Sequence, residues 1–348
     1  MSTTKVLFIG DPHFQVTNIP EVDLFMDKII NLATQEKPDI IVIAGDILHT
    51  HERLHTVALN KAYDLVNNMR LIAKTYVLVG NHDYTNNQQF LTDNHWMNGI
   101  KEWHDTIIVD QVISTTILDN KFIFVPYVPP GRFQEALDTH PDGYKDAACI
   151  FAHQEFYGCK MGAIISVEGD KWSLDNPLVV SGHIHSKQKP QENIYYSGSA
   201  MQHAFGESEK NIIASLVFQS GVCTTREIDL ELPRKKIVYL DVEDIEKYVI
   251  KDTPDQVKLT VSGNYEEFKA LKKTNEYKKI LDKGIKIVFK PKKLTQREKD
   301  REEVKTHSTG FMTILNSIIT EEKDRYLTHS YELIINGKEI EPDDVLFL

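Results

Sequence analysis

Residues 6–13 read Val6-Leu7-Phe8-Ile9-Gly10-Asp11-Pro12-His13. Four apolar residues run straight into a glycine, a carboxylate and an imidazole. So short and uninterrupted a run fits a strand buried on both faces; a half-exposed strand would alternate. The same grammar recurs along the chain. Ile40-Ile41-Val42-Ile43-Ala44 leads into Gly45-Asp46, and Tyr76-Val77-Leu78-Val79 into Gly80-Asn81-His82-Asp83. Cys149-Ile150-Phe151-Ala152 leads into His153, and Leu178-Val179-Val180 toward Gly182-His183-Ile184-His185. Between the first two runs, Val22, Phe25, Ile29, Leu32 and Ala33 fall at helical spacing within 21–36. Val57, Leu65 and Val66 repeat that pattern within 54–69. This βαβ alternation predicts an α/β fold. Segments 106–127 and 194–228 alternate instead, which predicts β-hairpins in a second sheet or as extra strands.

In α/β sheets the loops after strand C-termini converge on one edge, where ligands bind. Asp11, His13, Asp46, Asn81, His153, His183 and His185 would then meet there. Carboxylate, amide oxygen and imidazole without thiolate suit Mn²⁺, Fe or Zn²⁺. Seven ligands exceed the need of one ion. Two ions sharing a carboxylate, about 3.5–4 Å apart, fit the count and the chemistry of phosphoester cleavage. If extended, Asp11-x-His13 and His183-x-His185 would each point two side chains the same way. The glycines set before the ligands let the backbone turn sharply. Each fragment alone is ordinary. Asp-x-His is common and Gly-Asp is usually a turn, but the histidine of Gly-Asn-His-Asp adds nothing to a turn. The ordered set, each member after an apolar run, is not explained by turns.

The rest of the chain frames this constellation. At 348 residues and 40.0 kDa there is room for two domains, or one large domain with an appendage. A composition 41% apolar and 26% charged excludes collagen-like, disordered and disulfide-scaffold classes. No apolar run approaches the roughly 18 residues of a membrane span, and the apolar start is too short for a signal peptide. Cys149, Cys159 and Cys223 are too few and scattered for a disulfide frame. The expectation is a soluble, cytoplasmic protein of a reducing compartment with no membrane partner. Residues 1–230 carry 17 Lys+Arg against 28 Asp+Glu, whereas 231–310 carry 20 against 15 and 311–348 carry 3 against 8. An overall charge of −11 argues against a nonspecific polycation but leaves room for a basic patch on 231–310. Twelve of the 14 histidines lie in residues 1–230, so the chemistry belongs to that part.

Pro233 closes the large block, giving a first domain over 1–232. Residues 233–292 have a β-α-β pattern, with strands at Val257–Val261 and Ile285–Phe289 around a helix near Tyr265–Leu281. Residues 293–310 are a charged linker. In 311–348, Phe311, Leu315, Ile318, Ile319, Leu327, Tyr331, Leu333 and Ile334 recur at helical spacing up to Ile335. Two further stretches, His153–Gly158 and Gly198–His203, should flank the site.

Asp-x-His, Gly-Asp, Gly-Asn-His-Asp, His and Gly-His-x-His, in this order, resemble the calcineurin-like metallophosphoesterase superfamily. The resemblance covers residues 5–220, about two thirds of the chain. It implies a four-layer α/β/β/α sandwich with a di-metal centre at its edge. By match, Asp11, His13, Asp46 and His185 would serve one ion, and Asp46, Asn81, His153 and His183 the other. His82 would be the catalytic histidine, touching the scissile phosphate and no metal. Phosphoprotein phosphatases of the superfamily carry Gly-Asp-x-x-Asp-Arg-Gly and Gly-Asn-His-Glu, which this chain lacks. Gly45-Asp46-Ile47-Leu48-His49 resembles instead the SbcD-type DNA repair nucleases. There the residue matching His49 sits by the active site and influences exonuclease action; otherwise His49 is a helix-start residue beside His51 and His55. The resemblance further implies Mn²⁺ (with Mg²⁺, Fe²⁺ or Zn²⁺ as substitutes) and 3′→5′ exonuclease with endonuclease action. It also implies a DNA-binding cap over 233–292 and a helical tail over 311–348 that docks on an SMC-like, SbcC-type coiled-coil ATPase. A second copy of the chain is a further expected partner. Similar text occurs in phosphoesterases of phages and large DNA viruses. The rival readings are a phosphatase or phosphodiesterase for small molecules or phosphoproteins, and a scaffold with a vestigial site.

Overall fold

The computed structural model describes residues 2–51, 53–292, 311–322 and 331. The apolar runs become strands. β1 (Thr3–Ile9), β2 (Ile40–Ile43), β3 (Lys74–Leu78) and β4 (Thr106–Val109) lie parallel in one sheet. β5 (Ile113–Ile117), β6 (Asn120–Val125), β7 (Cys149–His153), β10 (Val179–Gly182), β11 (Gln188–Gln191) and β12 (Ile194–Tyr196) build a second. β13 (Ile213–Gln219) pairs antiparallel with β1 and carries β14 (Val222–Ile228) at the edge. The strand orders are β14-β13-β1-β2-β3-β4 and β11-β12-β10-β7-β6-β5. Between β7 and β10, β8 (Lys160–Met161) and β9 (Ile164–Ile165) form a small hairpin.

Three apolar layers separate four layers of structure. Because successive strand residues face opposite ways, Val6 and Phe8 enter the space between the sheets with Val42, Tyr76, Phe124 and Phe151. Tyr76 and Phe124 stack there at 4.1 Å. Leu7 and Ile9 face outward against α1 (Ile19–Glu36) and α2 (Thr56–Arg70), which bury Phe25, Ile29, Leu65 and Val66. On the far side, Ile123, Ile150 and Val179 meet Trp172 and Phe133 of α3 (Phe133–Asp138). The result is the expected α/β/β/α sandwich. The hairpin expectation for 106–127 holds only for β5 and β6; β4 joins the first sheet parallel to β3. In 194–228, likewise, β13 and β14 make the hairpin while β12 lies parallel to β10.

Contacts divide the chain into two units, Met1–Ser262 with Glu266–Phe289, and Gly263–Tyr265 with Lys290–Leu348. The first unit therefore includes most of the 233–292 segment. Its sheet runs β15-β16-β17, with β15 (Lys235–Asp241) parallel to β16 (Gln256–Gly263) and β17 (Lys286–Pro291) at the edge. The single helix expected there is two, α4 (Tyr265–Leu271) and α5 (Asn275–Asp282). Thr274 breaks them by capping α5, accepting from Tyr277 N at 3.2 Å. The linker 293–310 lies outside the described residues. Of the helix expected over 311–335, α6 (Phe311–Glu322) is described, with Ile319 buried and Ile318 exposed. Residues 323–330 and 332–335 lie outside the description. Among the described residues no helix is long and apolar enough to cross a membrane, and Cys149, Cys159 and Cys223 are free thiols.

Candidate metal centre

All nine singled-out side chains converge where the C-terminal ends of β1, β2, β3, β7 and β10 meet at one edge of the sandwich. Backbone bonds fix the strand ends to each other. His13 N donates to Asp46 O at 2.9 Å, Ala44 N to Ile9 O at 2.8 Å, and Ala200 N to Gly10 O at 2.7 Å. The local backbone differs from the expected one. Asp11, His13, Asp46 and His183 have φ of 35°, 48°, 49° and 77°, so neither Asp11-x-His13 nor His183-x-His185 is an extended dipeptide. Non-glycine residues hold such angles at a cost of order 1–3 kcal/mol each, and the surrounding bonds must impose them. Of the glycines, Gly45 does turn the chain, at φ 97°. Gly10, Gly80 and Gly182 serve close approach instead. A Cβ at Gly10 would meet the Gly198 carbonyl, one at Gly80 the Asp46 carboxylate, and one at Gly182 the Ala44 carbonyl.

Asp46 occupies the middle. Its Oδ1 accepts from His82 N at 2.8 Å, and its Oδ2 lies 3.4 Å from both His13 Nε2 and His153 Nε2. One carboxylate oxygen is thus equidistant from two imidazoles that come from different sheets. On one side, His13 Nε2 lies 3.0 Å from His185 Nε2, and the buried Asp11 Oδ2 has no hydrogen-bond partner. On the other, Asn81 Oδ1 lies 3.0 Å from His153 Nε2 and 2.9 Å from His183 Nδ1.

These contacts do not balance as hydrogen bonds. His153 Nδ1 lies 2.6 Å from the Ala44 carbonyl, which can only accept, so the neutral ring presents an Nε2 lone pair to two oxygens. Without a cation His153 must hold a second proton. Burial opposes that, yet the Asp46 and Asp11 carboxylates push its pKa up to about 9. A divalent ion would take the place of that proton. The orphaned Asp11 Oδ2 and the facing nitrogens of His13 and His185 ask for the same thing. The residues fit two cations, and Asp11 with His13 and Asp46, and Asp46 with His153 and His183, form groups able to hold one.

His82 meets Asp46 through its backbone N–H, its ring lies edge-on to His13 at 4.9 Å, and with His13 and His49 it offers nitrogens close enough together to hold an ion. Its Nδ1 lies 2.6 Å from the His49 carbonyl. Its ring stacks between those of His49 and His51, with centroids 5.5 and 4.7 Å away. His49 is not a helix-start residue; His55 caps α2, accepting from Val57 N at 3.2 Å. The His49 Nδ1 faces His13 Nδ1 at 3.2 Å. Burial, then the charge on His82, lowers the His49 pKa.

Three supporting residues escaped the sequence reading, and a fourth, His203, was expected only as part of a flanking stretch. Asp83 accepts from Gly80 N at 3.0 Å and Trp96 Nε1 at 2.9 Å, and so fixes the turn that carries Asn81 and His82. Its place in Gly-Asn-His-Asp was visible, but it reads there as a turn residue. Glu207 lies 3.4 Å from His185 Nδ1 and orients that ring, as carboxylates do behind metal-binding histidines. His203, last residue of the flanking stretch Gly198–His203, packs edge-on against His13 and His185. His51 closes the stack on His82. Glu207 and His51 end no apolar run, so nothing in the pattern of runs marked them.

With this geometry in place, the comparisons with known proteins are decisive at the level of family. The profile of the calcineurin-like phosphoesterases matches residues 4–187. The chain belongs to that family. It is a metallophosphoesterase, and calcineurin-like phosphoesterases use divalent metals. A protein named only as a phosphoesterase, 078R of Invertebrate iridescent virus 3, is 50% identical over 84% of this chain and 86% of its own length. Another so named, 244L of Invertebrate iridescent virus 6, is 51% identical over 78% of this chain and 99% of its own length. More distantly, the SbcD component of the SbcCD nuclease of Staphylococcus saprophyticus is 23% identical over 53% of this chain and 56% of its own length.

Proposed function

We propose that this metallophosphoesterase is a phosphodiesterase acting on DNA. The observation that carries the reading is a cleft of about 770 Å³ between the sandwich and the 235–291 cap. His203 of the metal-centre edge lines it, as do Lys235, Lys258, Lys283 and Lys286. The acids in the cleft are already engaged: Asp255 pairs with Lys236 at 2.6 Å, and Glu21 faces Lys235 at 3.7 Å. Among the described residues no carboxylate pairs with Lys258, Lys283 or Lys286. Lysines without a carboxylate partner beside a phosphoesterase centre, Lys258 lying over the Phe205 ring at 4.8 Å, suit a polyanion whose backbone runs past the site. The likeness to the SbcD nuclease supports the same substrate.

In this reading Asp11, His13, Asp46 and His185 would hold one divalent ion, and Asp46, Asn81, His153 and His183 would hold the other, with Mn²⁺ the preferred metal. Two such ions neutralise charge developing on the phosphoryl oxygens of an in-line displacement. His82 has its Nδ1 committed to the His49 carbonyl, so its Nε2 is the atom that gives or takes a proton at the phosphate. His49 and His51 hold that ring in place by stacking. The same resemblance brings the coiled-coil ATPase as partner, and deletion of residues 306–348 should abolish its co-purification.

The test is direct. Full-length protein with Mn²⁺ is incubated with labelled duplex DNA and, separately, with p-nitrophenyl phosphate and its diester. Metal-dependent cleavage of DNA and diester is expected. Hydrolysis of the monoester with intact DNA would assign the site to small-molecule substrates instead.

A further inference from the structure

His203 stands at the rim of the metal centre without being one of its seven predicted ligands. Its Nε2 lies 2.9 Å from the Asp11 carbonyl oxygen. A carbonyl only accepts, so Nε2 carries the ring proton and Nδ1 is an imine lone pair. That Nδ1 is buried and has no hydrogen-bond partner. A histidine kept for packing alone would leave such an acceptor either wet or satisfied, since burying it unpaired is costly.

What surrounds the ring says what the lone pair is for. The His203 centroid lies 4.8 Å from that of His13 and 5.1 Å from that of His185, edge to face in both cases. The three side chains offer nitrogens within 4.8 Å of one another. One carboxylate fixes two of them. Glu207 Oε2 accepts from the backbone N–H of His203 at 2.9 Å, while its Oε1 lies 3.4 Å from His185 Nδ1. The Asp11 carbonyl pins His203 through the very residue whose carboxylate is another expected ligand.

We propose that His203 is a further ligand, through Nδ1, of the ion held by Asp11, His13, Asp46 and His185. The inference rests on the two-ion reading above and deepens it. That ion would then have three imidazoles, against two imidazoles and an amide oxygen for the other. A nitrogen-richer set disfavours Mg²⁺ relative to Mn²⁺, Fe²⁺ and Zn²⁺, so the two positions should differ in affinity and in metal preference.

Full-length protein stripped with a chelator and titrated with Mn²⁺ by calorimetry tests this. Wild type should take up two ions per chain. His203→Gln, which keeps an N–H for the Asp11 carbonyl, should still take up two, with affinity at one position lowered by about tenfold or more. Two ions at unchanged affinities would overturn the proposal while leaving the metal centre intact. A wild type that binds no ion would overturn both. A second measurement needs no variant. Nitrogen hyperfine couplings of Mn²⁺ bound to protein labelled with ¹⁵N-histidine should count three imidazoles at one position and two at the other. Two at each would reject His203 as a ligand, whatever the variant's stability.

Discussion

The sandwich and the cap hold their working side chains in opposite ways. In the sandwich, Asp11, His13 and His153 have no measurable exposure, and Asp46 has 1%. Each is fixed by backbone and side-chain bonds, several in a left-handed conformation. In the cap, Lys283 and Lys286 are exposed, and no carboxylate among the described residues restrains them. Under the proposed function, the difference follows from what each region would be asked to do. Holding two cations a few ångströms apart needs donors placed to within a fraction of an ångström. Attracting a polyanion needs only charge of the right sign within a Debye length, about 8–10 Å in ordinary salt. Geometry is therefore written into motif spacing in one region, and only into composition in the other.

The largest effect should come from the one oxygen that both halves of the centre share. Asp46→Ala should remove both ions and take hydrolysis to background, because Asp46 Oδ2 faces His13 and His153 at the same 3.4 Å. Elemental analysis checks it. Two Mn²⁺ retained per chain would show that the two sides are independent sites.

His82 separates chemistry from metal binding. His82→Ala should keep near-normal metal content while turnover falls by roughly 10² or more. A fall in metal content in step with activity would make His82 a ligand, and the His49–His82–His51 stack a structural accessory.

How much was legible follows the same division. β1, β2, β3, β7 and β10 could be read because strands buried on both faces carry unbroken apolar runs. The seven candidate ligands could be read because they stand at the ends of those runs. β4 and β12 could not be placed: a short strand looks the same whether its partner is the next strand in sequence or one across the sheet. The left-handed angles at Asp11, His13, Asp46 and His183 are imposed by bonds between different strands, so no local pattern announces them. His203 follows β12 (Ile194–Tyr196) through a loop, and Asp83 hides inside a motif where any turn residue would pass. In the cap, the apolar positions gave two strands and a helical stretch. They gave neither β15 nor the break at Thr274, since a basic, half-exposed strand and a single capping hydroxyl leave little mark on periodicity.

A smaller effect should come from the cap's charge. Lys258→Glu, Lys283→Glu and Lys286→Glu together should weaken duplex binding at low salt and reduce the salt slope of log K by about 3, near one per phosphate contact. Both ions should remain bound. An unchanged slope would mean that the polyanion takes another path, and the contrast between a spaced site and a charged one would lose its second half.

The smallest effect bears on whether the two regions are separate at all. Thr274 Oγ1 accepts from Tyr277 N at 3.2 Å and donates to the Leu271 carbonyl at 2.8 Å, joining the end of α4 to the start of α5. Removing such a cap costs about 1 kcal/mol. Yet the cap is stitched to the sandwich at its root. Lys235 N donates to Gln202 Oε1 at 2.6 Å, and Lys235 Nζ to the Gln202 carbonyl at 2.9 Å, one residue before His203. If those bonds couple the regions, Thr274→Ala should lower a single melting transition by about 2 °C, as expected for a unit of this size. Metal content should not change, because nothing at Thr274 touches the strand ends. Calorimetry that instead resolves an early transition, shifted by the variant while the main one stays fixed, would show that the cap melts alone. DNA affinity would then fall with cap population at temperatures where the metal centre is still intact.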